Sequence, residues 1–139
     1  MSELSITSTD FKEGGEIPKK CGYKFENEEP QMDYHELEGE ANVLIMDDPD
    51  AMAAVGKVWV HFLKYTSCDT ANVIYGKNDF GEIGYGGPAP PDGRHTYVFK
   101  LYDLDTDLDL KKGFSKQELE NAMKGHILAE AKLTGTFAS

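Results

Sequence analysis

Residues 57–65 read KVWVHFLKY and residues 94–103 read RHTYVFKLYD; together these stretches decide the fold class. Side chains of an extended chain alternate between two faces. Trp59, His61, Leu63 and Tyr65 therefore share one face of the first stretch, with Val58, Val60 and Phe62 opposite. In the second, His95, Tyr97, Phe99 and Leu101 fall together, opposite Thr96, Val98, Lys100 and Tyr102. Both faces of the first are largely apolar, as in a central strand covered on two sides.

Working outward, Val43 to Met46 form a short apolar run that stops at Asp47, Asp48 and Pro49, as a buried strand emerging at a sheet end would. Leu4 and Ile6 alternate with polar neighbours like a short edge strand, and 10–20, with Gly14, Gly15 and Pro18, reads as a turn-rich connection. The acidic run 26–29 reads as a solvated loop. Six glycines and three prolines in 76–93 exclude a helix or a central strand there and predict an ordered loop or lid. Ser115 followed by Glu118 fits a capping box, and Leu119, Ala122 and Met123 follow at helical spacing, so a helix starts there and ends near Gly125. From Ile127 the apolar period drops to two through Ala129, Ala131, Leu133 and Phe137, predicting a strand over 128–137. Several strands with one short helix in the C-terminal region predict a mainly β chain, a two-sheet antiparallel β-sandwich with Greek key connections.

At 139 residues one hydrophobic core is the expectation, a single domain over 1–139. With 40% apolar residues the chain can fill it. Fourteen basic against 25 acidic residues give a net charge of −11, a surface that repels nucleic acid and anionic lipid, so an anion must bind in a local pocket. No stretch approaches the roughly 18 apolar residues of a membrane span, and 1–16 carries neither a basic nor a hydrophobic signal region, so a cytoplasmic protein without stable membrane insertion is expected. Cys21 and Cys68 lie far apart without a CxxC partner, which argues against a metal knuckle or redox motif and favours two free thiols over a disulfide; no cofactor or metal is expected, with a two-His, one-Asp metal site as the alternative.

Two polar clusters stand at strand ends. One is Asp47, Asp48, Pro49 and Asp50 with His61; the other is the Gly and Pro loop leading into His95 and Tyr97. Singly, a histidine on a buried strand is an ordinary hydrogen-bonded core residue and Asp-Pro-Asp an ordinary turn. Their conjunction points to a site. An aspartate accepting from one imidazole nitrogen fixes the tautomer and leaves the other nitrogen to meet an oxyanion. Tyr97 adds a hydroxyl, and Gly84, Gly86 and Gly87 let a ligand approach bare backbone. Other templates fail. Asp103, Asp105, Asp107 and Asp109 lack the glycine and closing glutamate of a calcium loop, and GEIGYGG at 81–87 leads into proline rather than a helix. No nucleophile elbow or HExxH is present. A noncatalytic small-anion pocket is therefore the leading expectation; a small hydrolase using a His/Asp pair and a serine protease inhibitor are the alternatives.

LIMDDPDA at 44–51, WVHFLKY at 59–65, NDFGEIGYGGPAPPDGRHTYVFKLYDLD at 78–105 and AMKGHILAEAKLTGTF at 122–137 resemble the phosphatidylethanolamine-binding proteins, or Raf kinase inhibitor proteins, in their short bacterial and archaeal form. The resemblance implies a β-sandwich whose pocket takes phosphate, acetate or a phosphorylated headgroup. It places Asp48, Asp50, His61, Gly86, Gly87, Pro88, His95 and Tyr97 in that pocket, with Trp59 nearby. It further implies a binding and regulatory role, with a kinase or a serine protease as partner, and a homodimer. Met52, Thr96 and Phe137 depart from the family's usual proline, arginine and tyrosine, and the connections around 52–57 and 66–77 look short, which bears on ligand and partner preference more than on fold.

Overall fold

A computed structural model of the chain describes residues 3–139; the first two residues of the expected domain lie outside the described residues. Within them run β1 (Ser5–Thr7), β2 (Gly15–Glu16), β3 (Asp33–His35), β4 (Ala41–Asp48), α1 (Ala51–Val55), β5 (Trp59–Ser67), β6 (Val73–Tyr75), β7 (Arg94–Leu104), α2 (Lys116–Met123) and β8 (Ile127–Ala138), with one 3-10 turn at Lys19–Cys21. The chain is mainly β with two sheets: β1 pairs with β3, and six strands form a second sheet in the order β2-β8-β7-β4-β5-β6. The period-two reading after Ile127 is met by β8, and the capping box by α2. Ser115 Oγ accepts from Glu118 N at 3.0 Å while the Glu118 carboxylate accepts from Ser115 N at 3.0 Å, an arrangement that contributes about 1 kcal/mol.

The large sheet is buried on both faces. One face carries Leu44, Met46, Phe62, Tyr97, Phe99, Leu101 and Leu133, covered by Ile6, Phe11, Ile17 and Cys21 from the N-terminal segment. The other carries Ala41, Val43, Ile45, Val60, Leu63 and Tyr65, covered by Phe114 and by Leu119 and Met123 of α2. Leu119 and Met123 stand four apart on the helix, so one stripe reaches the sheet while the rest stays wet.

Three features differ from the sequence expectation. The pairing is not wholly antiparallel, because β2 runs parallel to β8, Gly15 opposite Gly135 and Glu16 opposite Thr136; two residues without apolar alternation give no signal of it. A second helix, α1, follows directly on the Asp-Pro-Asp turn, and Gly56 ends it at φ 79°; five residues are too few to display a helical period.

The third difference matters most. The β4–β5 register shifts by one residue between Met46 and Asp47: Met46 faces Phe62, Asp47 faces Val60, and His61 is the extra residue of a bulge. Strict alternation therefore fails in β5. Phe62 belongs to the Tyr97 face and Leu63 and Tyr65 to the α2 face, while His61 sits with its ring centre 5.2 Å from that of Tyr97. A bulge re-aims side chains in this way.

Candidate functional site

At the exit of β4 the DDPD turn divides its carboxylates. Asp48 is buried; its Oδ1 accepts from Ala51 N at 3.2 Å, fastening the start of α1, and its Oδ2 lies 2.6 Å from His95 Nδ1. Asp50 is exposed and its Oδ2 accepts from Thr96 N at 2.8 Å, fastening the same turn to the start of β7. The antiparallel β4–β7 register thus brings Asp48 beside His95 and Tyr97. His95 is sandwiched between carboxylates, since its Nε2 lies 2.8 Å from Asp92 Oδ1. Burial disfavours the imidazolium, yet the hydrogen bonds and charges of Asp48 and Asp92 prevail and hold the His95 pKa above its ordinary value.

His61 is held from the other side. Its Nδ1 lies 2.7 Å from Gly86 O, so Nδ1–H donates and Nε2 is bare in the neutral ring. Gly86 N returns a bond to His61 O at 2.9 Å. Burial lowers the His61 pKa, against the opposing pull of the Gly86 carbonyl and the charge on Asp48. The loop can come this close only as glycine: a Cβ at Gly86 would stand 2.6 Å from the Phe80 ring, and one at Gly87 2.0 Å from Cys21 O. Phe80 packs edge-on against His61 and Trp59, and stacks on Tyr23 with ring centres 3.9 Å apart.

A hollow of about 210 Å³ opens here, lined by Asp48, Trp59 and His61, with Ala51, Ala54 and Val55 of α1 and Phe80, Ala89 and Pro91 as its apolar wall. Trp59 Nε1 and the Tyr97 hydroxyl are buried donors without hydrogen-bond partners among the described residues. Burial first, and then the charge on Asp48, push the Tyr97 pKa up, so its proton stays on. Buried donors in native proteins are nearly always satisfied, and two orphans within one aromatic cluster set this place apart from the rest of the core.

Of the residues singled out in the sequence, Asp48, Trp59 and His61 line the hollow. His95 and Tyr97 stand behind it, the former with both nitrogens engaged. Asp50 is exposed and does not line it. Gly86 and Gly87 form the supporting backbone, and Pro88 O accepts from Tyr23 N at 3.0 Å. Cys21 and Cys68 are free, as expected, and burial raises the Cys21 thiol to about 11.

Three supporting residues escaped the sequence reading. Asn27, inside the acidic run, accepts from Gly87 N at 2.7 Å and donates to Tyr85 O at 3.2 Å from a left-handed backbone, φ 52°. Asn78 accepts from Phe80 N and Glu82 N and donates to Gly84 O at 3.1 Å, shaping the loop that carries Gly86. Asp92 caps His95. Asn-Asp-Phe-Gly at 78–81 and Pro-Asp-Gly at 91–93 are turn formers whose side chains bond nearby backbone, a signal that was there to be used; Asn27 had none beyond being the single amide among glutamates.

The comparisons with known proteins concern the whole of this architecture. The family model described as phosphatidylethanolamine-binding protein matches residues 7–138. A UPF0098 protein of Methanothermobacter thermautotrophicus is 39% identical, with 96% of this chain and 98% of that one covered. A UPF0098 protein of Chlamydia trachomatis is 35% identical over 96% and 98%. Among solved structures, a phosphatidylethanolamine-binding protein homologue from Chlamydia trachomatis superposes with a TM-score of 0.91 at 33% identity, covering 100% of this chain and 99% of that one. YBCL of E. coli superposes with a TM-score of 0.85 at 22% identity, covering 98% of each, a likeness of fold alone. The bulged β5, the glycine and proline loop and the Asp48–His95 pair thus sit within a chain that belongs to the phosphatidylethanolamine-binding protein family.

Proposed function

We propose that the hollow beside His61 binds a small oxyanion or phosphoryl group and that the chain is a noncatalytic binding and regulatory protein. The observation that carries this reading is the pair of orphaned donors beside His61: Trp59 Nε1, on a residue that lines the hollow with Asp48 and His61, and Tyr97 Oη, on a residue directly behind it. An oxyanion accepts from such donors and removes the penalty of leaving them dry. Asp50 fastens the turn that carries Asp48, the backbone of Gly86, Gly87 and Pro88 supports the site, and His95 holds Asp48 in place. By family resemblance the protein modulated through this site is a kinase or a serine protease, and a homodimer is the assembly. The spatial order β7-β4-β5-β6, with β7 returning beside β4 after a long connection, supports reading the fold as a sandwich with a Greek key.

Tyr97→Phe tests the assignment, because it deletes an unsatisfied donor and leaves the packing. Thermal stability should stay unchanged or rise slightly. Phosphate affinity, followed by NMR shifts of the His61 and Trp59 rings, should fall about 10- to 100-fold, as for a lost bond to a charged group. Unchanged phosphate affinity would reject the role given to Tyr97.

A further inference from the structure

We propose that two copies of the chain associate by antiparallel pairing of an open edge of β8, with Glu130 of each copy opposite Lys132 of the other. The inference rests on the homodimer reading above, names its surface, and does not involve the hollow. β8 is 12 residues long, yet β2 pairs with it only at Gly135 and Thr136. Thr134 is closed as well: its carbonyl accepts from Gly14 N at 2.8 Å and its N–H donates to Glu13 Oε1 at 3.0 Å. Successive residues of a strand turn their backbone groups to opposite sides. The N–H and C=O of Glu130 and Lys132 therefore point as those of Thr134 do, away from β7, and among the described residues nothing bonds to them. The far end of the sheet is covered. Beside β6, Tyr75 O accepts from Gly113 N and Lys77 N donates to Phe114 O, both at 2.9 Å.

The side chains along this edge choose the occupant. Glu130 and Lys132 are exposed and share one face of β8. Within its own sheet Lys132 stands opposite Lys100 and Glu130 opposite Tyr102, so neither meets an opposite charge across the β7 ladder. A second copy supplies both. With Ala131 facing its own counterpart on a two-fold axis, Glu130 and Lys132 fall opposite Lys132 and Glu130 of the other copy. The open backbone groups then exchange bonds in both pairs, and each pair joins opposite charges. The neighbouring two-fold register sets Glu130 against Glu130 and is disfavoured. Ile127 and Leu128, 44% and 54% exposed, continue the same strand and leave apolar surface beside the open edge for the other copy to cover. An edge this short buries little area, which makes the association weak and reversible.

Sedimentation equilibrium of the full chain, from about 10 μM to about 1 mM, tests this. The wild type should show a reversible monomer–dimer equilibrium. Glu130→Lys and Lys132→Glu each set like charges opposite in both pairs and should weaken it about 10- to 30-fold. The first makes an acidic chain less acidic and lowers the general repulsion between copies, so its weakening reads the pairing and not the net charge. Both side chains are exposed, so the variants keep the fold. The double exchange E130K/K132E should restore the wild-type equilibrium, and a mixture of the two single variants should form a mixed dimer as tight as the wild type. A dimer that survives either single variant unchanged, or an exchange that restores nothing, would overturn the β8 pairing and leave the homodimer standing. A wild-type monomer throughout the range would overturn the homodimer, and the pairing with it.

Discussion

Asp47 and Asp48 are neighbours in sequence, both buried, and they serve opposite faces of one sheet. Asp47 meets Lys100 at 3.3 Å and Lys116 at 3.2 Å, two side chains about a third or less exposed, and thereby ties α2 to β4 and β7. Its charge is answered by cations within the protein. Asp48 meets a histidine and a backbone amide, and around it the Tyr97 and Trp59 donors are left unanswered. The α2 face is a closed structural core, whereas the opposite face holds two buried donors without a hydrogen-bond partner among the described residues. Burial of a carboxylate is thus no mark of function by itself; what distinguishes the two is the balance of donors and acceptors around each.

Paired substitutions separate the faces. Asp48→Asn should cost about 2 kcal/mol, because a charge-assisted bond to His95 becomes a neutral one, and should lower the His95 pKa. Asp47→Asn should cost about 1 kcal/mol, less at high salt, since both lysines can turn to water, and should leave the His61 and His95 ring signals in place. Urea unfolding with histidine NMR reads both. Equal losses with both sets of ring signals displaced would erase the distinction.

The histidines carry a smaller contrast. His61 has a folded pKa below the ordinary value of about 6.5, so the unfolded chain takes its proton more readily. As pH falls below about 6.5 this group costs stability, until the pH passes its folded value. His95 has a folded pKa above about 6.5. Its contribution is complete below about 6.5 and is lost as pH rises through the folded value. Plots of melting temperature against pH should therefore diverge from wild type on the acid side for His61→Gln and above about pH 6.5 for His95→Gln. Curves parallel to wild type in both would contradict the opposed shifts.

The strands that frame the site were legible because long alternating runs such as RHTYVFKLYD carry their period openly, and α2 because its cap and stripe agree. The family resemblance was legible in the DDPDA and proline-loop motifs. The bulge was not. His61 falls on the Tyr97 face by a one-residue register shift that no alternation of Trp59 to Tyr65 discloses, since both registers bury apolar side chains. Asn27 was illegible as a site support for a related reason: it acts on the backbone of Gly87, 60 positions away, and side-chain type alone does not say which amide is met. That Asp92 would occupy the second nitrogen of His95 follows only from how the turn before β7 closes.

The most direct test of the site geometry is a long-range nitrogen–proton NMR spectrum of the histidine rings, recorded slightly below neutral pH without added anion. His61 should show a neutral ring protonated at Nδ1 with a bare Nε2, and on titration His95 should lose its second ring proton at a higher pH than His61 does. A His61 ring protonated at Nε2 instead, or a His95 that titrates below His61, would contradict the arrangement from which the binding function is drawn.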